Sequence, residues 1–417
     1  MTPGTIEHAV CLGCGCACDD IEVTVREGRI ASVRNACPIG LAWYGDGTTT
    51  ALVKVRGSAV GADAAAGEIA KLLRSGPAMV YLAPDLTTEA QRAAIGLADR
   101  AGARLDSVTS DTAASGLIAG QRRGRATATL GEIRNRADVL VFWAVDPDVG
   151  YPRFLSRYAL DPVGTQVPNG AAGRRVVAVD VGEARGPGRA GSRVALSPAD
   201  EAAALAVMRA TVTGRALSGL SPALEAAAEL ARQLTQARYV VLVHDAEPAS
   251  GPADPQRAEG LTGLAQALNG PTRCALSSLR GGGNRSGADA AMTWQTGFPF
   301  GVDFSSGAPR YRPEEPASAA VQRMASVLIV GAAHRIPDEV VRGLAGRRVA
   351  VIGPRANDAP FATDVAIDTG VAGIHEAGIA YRLDDVPLPV PEIVAGPSST
   401  VAALQAVATA LRSNGGA

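Results

Sequence analysis

Five of the six cysteines in this 417-residue chain lie within its first forty residues. Cys11, Cys14 and Cys18 are separated by two and three residues, Cys16 lies among them, and Cys37 follows after a gap. Thiols at such short spacing are metal ligands in a reducing compartment and disulfides in a secreted protein. Nothing upstream of them resembles a secretory signal sequence, so we expect metal ligands. The pattern fits a [4Fe-4S] cluster or a structural zinc ion, and the spacing does not separate the two.

Arginines form a second group that could bind a ligand. The chain has only two lysines, so arginine carries almost all of its positive charge, and a guanidinium can bind a carboxylate or phosphate with two parallel hydrogen bonds. Clusters occur at Arg122, Arg123 and Arg125 and again around Arg153. We expect these side chains to hold a polyanion such as a polycarboxylate. The alternative is a solvated helix face.

A glycine run at residues 280–287 directly follows a predicted strand near Leu276. Backbone N–H groups in such a loop can hold a phosphate, which makes Gly283 and Asn284 candidate cofactor-binding residues. An ordinary turn is the alternative. The next stretch holds a large share of the aromatic residues and shows no helical period, so we predict a long ordered loop over residues 280–312.

Composition and charge argue against several classes of protein. A formal net charge of -1 lacks the basic field on which nucleic-acid binding depends, and 4% aromatic residues leave few stacking platforms. No apolar run is long enough for a membrane span. The four histidines do not pair at metal-ligand spacing, and no catalytic motif occurs, so we assign no catalytic residue. We expect a cytoplasmic protein without nucleic-acid or membrane partners.

The elements that must position these residues follow a simple pattern. Residues 21–25 and 29–33, joined by a turn at Glu27-Gly28, predict a β-hairpin that would hold Cys37 against the first three thiols. Further along, short apolar strands alternate with alanine-rich helices, which is typical of parallel sheets covered by helices. We predict an α/β protein with a small cysteine-rich β cap over 1–55, α/β domains over 56–190 and 191–390, consecutive or interleaved, and a tail with a last helix over 391–417.

These stretches together resemble the B subunit of formylmethanofuran dehydrogenase, a member of the molybdopterin oxidoreductase superfamily. The resemblance implies Rossmann-like domains of the molybdopterin oxidoreductase type, and a [4Fe-4S] cluster held by Cys11, Cys14, Cys18 and Cys37. The matching blocks run in one order through most of the chain, and include Cys11-Leu-Gly-Cys14, Cys18-Asp-Asp-Ile-Glu-Val23, Asn35-Ala-Cys37, Thr129-Leu-Gly-Glu-Ile-Arg-Asn-Arg-Ala-Asp-Val139, Tyr151-Pro-Arg-Phe-Leu-Ser-Arg-Tyr158, Thr293-Trp-Gln-Thr-Gly-Phe-Pro-Phe300, Val302-Asp-Phe-Ser305, Pro309-Arg-Tyr311 and Gly378-Ile-Ala-Tyr-Arg-Leu-Asp384.

One position departs from that family. Its members carry a cysteine or selenocysteine that ligates tungsten or molybdenum, upstream of the block that begins at Thr129. The corresponding stretch here is Asp111-Thr-Ala-Ala-Ser115, and no cysteine occurs between Cys37 and Cys274. A hard hydroxyl does not replace a soft thiolate at such a centre. We therefore expect no metallopterin.

The resemblance then extends to the bacterial formyltransferase/hydrolase complex of methylotrophs, which releases formate without redox chemistry. In that setting the chain would be a non-redox scaffold subunit. Its partners would be a formyltransferase subunit, an amidohydrolase-like subunit, a C-type subunit and the polyglutamylated carrier methylofuran. Two alternatives remain open: a tungsten or molybdenum dehydrogenase subunit with an oxygen ligand at Asp111, Thr112 or Ser115, and a module whose cysteine cap alone is functional.

Overall fold

The computed structural model describes residues 4–248 and 254–413. The chain forms two compact units: Met1–Asp111 together with Gly281–Ala417, and Thr112–Arg280. The second unit is thus inserted into the first. The predicted boundary at residue 190 is wrong, because it falls between two hydrogen-bonded neighbours of one parallel sheet, β9 (Arg175–Val181) and β10 (Ser192–Leu196). The interleaved arrangement is the one that the structure contains.

The cysteine-bearing cap opens the first unit. Its three antiparallel strands are β1 (Gly4–Ala9), β2 (Ile21–Arg26) and β3 (Arg29–Arg34), and helix α1 (Pro38–Tyr44) follows them. The turn at Glu27 and Gly28 has positive φ at both residues, which matches the twist of a tight hairpin. The predicted hairpin and the small cysteine-rich cap are therefore confirmed.

The main sheet of the first unit has nine strands in the order β14-β13-β7-β6-β15-β16-β17-β4-β5, and the five from β7 to β17 are parallel. Strands β6 and β15 are buried along their whole length, as expected where helices cover both faces of a parallel sheet. The strands are β4 (Val53–Val55), β5 (Ser58–Ala59), β6 (Ala78–Leu82), β7 (Arg104–Ser107), β13 (Val302–Asp303), β14 (Arg310–Tyr311), β15 (Ser326–Val330), β16 (Arg348–Gly353) and β17 (Val365–Asp368).

Helices cover both faces of that sheet. One face packs against α2, α3, α11 and α14, and the other against α12 and α13. The helices of this unit are α2 (Ala62–Arg74), α3 (Thr88–Ala101), α4 (Thr109–Thr112, which ends at the first residue of the inserted unit), α11 (Arg285–Thr296), α12 (Ala317–Ala320), α13 (Asp338–Gly343) and α14 (Thr400–Ser413), and a separate hairpin pairs β18 (Gly378–Tyr381) with β19 (Pro387–Val390). The last helix lies within the predicted tail, whose residues 414–417 are outside the described part of the chain.

Helix α11 corrects a prediction. The expected loop over 280–312 is interrupted by three helical turns at Arg285–Thr296. Its buried face is made mainly of small and polar residues, including Gly287, Ala288 and Asp289, so the sequence shows no apolar period. Packing by small residues therefore hid this helix from the pattern.

The inserted unit contains a five-stranded, all-parallel sheet in the order β10-β9-β8-β11-β12. The first strand in the chain, β8, lies in the middle, which is the arrangement of a doubly wound Rossmann-like sheet. The remaining elements are β8 (Val139–Trp143), β11 (Tyr239–Asp245), β12 (Arg273–Leu279), α5 (Ala114–Arg123), α6 (Leu130–Arg136), α7 (Pro147–Gly150), α8 (Glu201–Val212), α9 (Pro222–Leu234) and α10 (Pro255–Leu268). The predicted α/β class is confirmed.

Within the described residues, no helix is both long enough and apolar enough to cross a bilayer.

Candidate functional site

The candidate metal centre is the loop between β1 and β2 together with the start of α1. The backbone N–H of Cys11 donates to the carbonyl of Cys18 across 2.9 Å, which closes the loop that carries the first thiols. Helix α1 begins directly after Cys37, and Pro38 occupies its first turn. Cys11, Cys16 and Cys18 are buried, whereas Cys14 and Cys37 are half-buried. None of the six cysteines, all of which lie within the described residues, forms a disulfide, in contrast to the disulfide alternative.

The thiols of this loop face one another. A Cβ atom built on Gly40 would lie 3.1 Å from the Cys11 Sγ and 4.0 Å from the Cys37 Sγ, so both sulfurs point at the same glycine. Burial raises the pKa of Cys11, and the neighbouring Cys14, Cys18 and Cys37 thiols raise it further, which places all four predicted ligands in one group. Thiolates in a buried group repel one another unless a bound cation compensates them.

A fifth thiol belongs to the same group. Cys16 is 1% exposed, and its hydrogen bond with Cys14, followed by burial, raises its pKa. Across the described residues, no three His, Cys, Asp or Glu side chains are close enough together to ligate one metal ion. In a four-iron cluster each cysteine binds a different iron, and Gly40 leaves room beside the Cys11 and Cys37 sulfurs, so such a cluster at the four thiols stays a prediction.

The glycine run packs against the cysteine loop through backbone contacts. The Gly283 N–H donates to the Leu12 carbonyl across 2.8 Å, and Gly281 pairs with Cys14 as an isolated β-bridge. Asn284 is 2% exposed: its amide donates to the Leu86 carbonyl at 2.9 Å, and its oxygen accepts from the Tyr381 N–H at 2.7 Å. These contacts give Gly283 and Asn284 a structural role. Their part in cofactor binding stays a prediction.

A cavity of about 630 Å³ opens beside the cap. It lies where β15 and β16 end, at the carboxyl edge of the parallel sheet, which is the usual ligand position in such folds. Asp85 and Arg335 form an ion pair in its wall. The lining also includes Gly13, Trp43, Tyr44, Thr48, Thr49, His334, Arg355, Val371 and His375. None of these residues is in the site predicted from the sequence. Trp43 and Tyr44 could have indicated the cavity, because aromatic residues are rare in this chain and these two follow Cys37 closely.

His334 and His375 in the first unit are consistent with structural roles. His375 bonds through both ring nitrogens: Nε2 lies 2.8 Å from the Gly47 carbonyl and Nδ1 accepts from the Val371 N–H at 3.2 Å. Burial lowers the pKa of His375 and of His334, so both rings are neutral at pH 7.

The predicted arginine site lies in the inserted unit. Arg122 and Arg123, at the end of α5, share one carboxylate: the Nη1 of Arg122 lies 3.5 Å from Glu259 of α10, and Arg123 forms an ion pair with the same side chain. Arg125 is exposed just beyond α5, and Arg153 is half-buried ahead of the helical turn at Leu155–Ala159. The structure thus brings Arg122 and Arg123 together, with part of their charge neutralised.

The segment expected to hold a metallopterin metal offers only oxygen atoms. Asp111 follows β7, and its Oδ1 accepts from the Ser318 N–H across 3.1 Å. Burial raises the pKa of Asp111. Cys274 cannot supply the missing thiolate, because it is 2% exposed in the apolar core of the inserted unit. Burial raises its pKa, so the thiol stays protonated.

His244 gives the inserted unit a predicted pH dependence. It is 6% exposed in β11, its Nε2 lies 2.8 Å from the Ser278 hydroxyl, and burial lowers its pKa to about 4. Because the folded pKa lies below the unfolded value of about 6.5, this contribution to stability is complete above pH 6.5 and is lost as the pH falls towards 4. We expect His244 to account for a loss of about 2 kcal/mol between pH 7 and pH 5.

Denaturant unfolding of the His244→Gln variant at both pH values measures that loss, because the variant should depend less steeply on pH than the wild type. His8→Gln, in an exposed position of β1, is the control and should follow the wild type. Parallel curves for His244→Gln and the wild type would contradict the expectation.

The fold and the cysteine group define a class of protein: an α/β protein with parallel sheets and a small antiparallel β cap that carries clustered cysteines. No family model matches the chain. The chain is 28% identical over 415 residues to the B subunit of the tungsten-containing formylmethanofuran dehydrogenase 2 of Methanocaldococcus jannaschii, covering 95% of both proteins. It is also 28% identical over 410 residues to the protein of the same name from Methanococcus maripaludis, covering 94% of both.

A solved structure has the same fold. It is a chain of the formyltransferase/hydrolase complex FhcABCD from Methylorubrum extorquens, in complex with methylofuran, with a TM-score of 0.74 and 23% identity. The match covers 88% of this chain and all of that chain. The protein is therefore related, over nearly its whole length, to the B subunit of formylmethanofuran dehydrogenase, and the predicted resemblance is confirmed.

Proposed function

We propose that this chain is the B-type, non-redox scaffold subunit of a formyltransferase/hydrolase complex. Such a complex converts formyl-tetrahydromethanopterin to formate through formyl-methylofuran during one-carbon oxidation in the cytoplasm. The observation that carries the proposal is the absence of a thiolate at residues 111–115 in a chain otherwise related to a tungsten enzyme. The fold shared with a chain of the FhcABCD complex supports it.

The partners in this proposal are a formyltransferase subunit, an amidohydrolase-like subunit, a C-type subunit and polyglutamylated methylofuran. The chain's own chemistry would be confined to a metal centre at Cys11, Cys14, Cys18 and Cys37, with a [4Fe-4S] cluster as the group favoured by the clustered thiols. The nearly complete use of Gly283 and Asn284 in internal hydrogen bonds is consistent with a scaffold role for that loop.

The names of the curated relatives favour a second candidate, a catalytic dehydrogenase subunit with tungsten or molybdenum bound to a pterin. In that case an oxygen atom of Asp111, Thr112 or Ser115 would replace the thiolate. The hydrogen bond from Ser318 to Asp111 and the raised pKa of this carboxyl group argue for a packed role instead.

Elemental and pterin analysis of the purified native complex separates the two candidates. The scaffold proposal expects iron or zinc in the cap, no stoichiometric tungsten or molybdenum, and no extractable pterin. Stoichiometric tungsten or molybdenum with pterin, together with dye-linked oxidation of the formyl carrier, would replace it with the dehydrogenase.

The arginine pair provides a prediction about the carrier. Reversing both charges, as Arg122→Glu with Arg123→Glu, should reduce the polyglutamylated carrier retained by the complex several-fold at low salt and much less at high salt, because salt already screens such exposed contacts. Glu259→Gln should act in the opposite direction, since it removes the carboxylate that the two arginines share.

The matched control reverses two exposed arginines of the cap that also have acidic partners, Arg29 and Arg34. Carrier content, measured by mass spectrometry after purification at two salt concentrations, should not respond to the control. Equal carrier content in the Arg122/Arg123 variant and the wild type would show that these arginines do not bind the carrier.

A further inference from the structure

Helix α1 turns one face towards the thiols. Its two buried residues are Gly40 and Tyr44, which are four positions apart and therefore lie on the same side of the helix. Gly40 is the residue at which the Cys11 and Cys37 sulfurs point. Tyr44 thus lies one turn further along the face that borders the cysteine group.

The hydroxyl of Tyr44 is buried without a partner. The side chain is 2% exposed, and its hydroxyl makes no hydrogen bond with any described residue. An unsatisfied buried polar group is destabilising, and native proteins rarely leave one. The Trp43 ring packs edge-on against the Tyr44 ring, with the ring centres 4.7 Å apart.

Two thiols influence the pKa of that hydroxyl. After burial, the next causes that raise the pKa of Tyr44 are the charges of Cys11 and Cys18. Tyr44 shares the buried face of α1 with Gly40, which borders the Cys11 and Cys37 sulfurs, and no sulfur of the described residues is in hydrogen-bonding position to its hydroxyl. A cluster bound by these thiols would add sulfur atoms of its own, which are the acceptors that this hydroxyl lacks.

We infer that the Tyr44 hydroxyl donates a hydrogen bond to a sulfur atom of an iron–sulfur cluster held by Cys11, Cys14, Cys18 and Cys37. This inference rests on the metal centre of the proposed function. Tyr44 is a positioning residue, not a ligand. Hydrogen bonds to cluster sulfurs are among the features that set a reduction potential, because they stabilise the more negative, reduced state. Tyr44 would therefore raise the potential of the centre.

The test compares the complex carrying Tyr44→Phe with the wild-type complex after anaerobic purification. We expect unchanged iron content, and a lower midpoint potential by redox titration followed by electron paramagnetic resonance. The reduction equilibrium should change several-fold; a tenfold change corresponds to about 59 mV for one electron. In resonance Raman spectra, exchange into D2O should shift the Fe–S stretching bands of the wild type. The same bands of the variant should not shift. A merely structural role for Tyr44 would not produce that isotope effect.

Tyr81→Phe is the matched control, since it also removes a fully buried tyrosine hydroxyl, from strand β6. It should leave the potential and the isotope shift unchanged. Equal potentials and equal isotope shifts in Tyr44→Phe and the wild type would overturn the inference alone. If Tyr44→Phe loses its iron, Tyr44→His supplies the second comparison: a restored, isotope-sensitive cluster supports donation, and an isotope-insensitive one overturns it. Zinc without iron in the wild type would overturn the inference, whereas tungsten with pterin would overturn the scaffold function instead.

Discussion

Replacing Gly282 with alanine should abolish metal binding at the proposed cysteine centre while both parallel sheets stay folded. A Cβ atom at this position would lie 2.2 Å from the Leu12 carbonyl oxygen and 2.7 Å from the Cys14 nitrogen. Both are backbone atoms of the loop that carries the first thiols, so no side chain can rotate away to make room. The loop itself must move, which separates Cys11 and Cys14 from Cys37. Iron or zinc per chain should fall to near zero, while far-ultraviolet circular dichroism stays at the wild-type level.

Gly96→Ala is the matched control for this change. Gly96 lies within α3, and nothing comes within 4 Å of an added Cβ atom there. Because alanine is the better helix former, this variant should keep its iron and gain up to about 1 kcal/mol of stability. Normal iron content in Gly282→Ala would show that the close approach of the glycine run does not position the cysteine loop.

The parts of the fold that sequence analysis predicted are those dictated by local pattern. The hairpin β2–β3 follows from alternation around Glu27-Gly28, and β6, β8 and β11 follow from short apolar runs. Helix α3 begins after Thr87, whose side chain accepts from the Ala90 N–H as an N-cap. Each of these signals lies within a few residues of the element that it predicts.

The insertion of one unit into the other could not be read in the same way. Alternating strands and helices predict parallel sheets, but they do not say which sheet each strand joins. Strands β9 and β10 are parallel neighbours, and β15 pairs with β6 across more than 240 positions of the chain. Pairing between such distant strands is decided by packing, so the predicted boundary at residue 190 cut through a sheet.

The candidate site was predicted in part, for a related reason. The thiol spacing is local and predicts Cys11, Cys14, Cys18 and Cys37 as ligands, which stays a prediction; the structure shows that Cys14, Cys18 and Cys37 all raise the pKa of Cys11. The ion pairs of Glu259 with Arg122 and Arg123, and the burial of Tyr44, depend on tertiary contacts. A cluster of arginines in the sequence indicates a possible polyanion site. Only the fold shows which carboxylate of the protein already pairs with those arginines.

The second large effect is expected at a buried ion pair in the first unit. Arg104, 6% exposed, donates to Asp106 at 3.1 Å and to the Glu315 carbonyl at 2.8 Å, and Asp106 is fully buried. Burial raises the pKa of Asp106 to about 6, although the Arg104 charge opposes the shift. Arg104→Met should therefore cost up to about 3 kcal/mol near pH 8, because it leaves a carboxylate buried without its cation and protonation of that carboxylate limits the penalty.

The pH dependence and a double variant separate this charge effect from lost packing. Without Arg104 the folded pKa of Asp106 rises further above the unfolded value of about 3.9, so the penalty should grow as the pH rises and shrink at pH 5, where the carboxyl group is protonated. Arg104→Met combined with Asp106→Leu should recover much of the loss, since an apolar pair needs no compensation. Arg342→Met, which breaks an exposed pair with Glu339, is the control and should leave the unfolding midpoint nearly unchanged. An Arg104→Met penalty that is the same at pH 5 and pH 8, and persists in the double variant, would assign the loss to packing and not to charge.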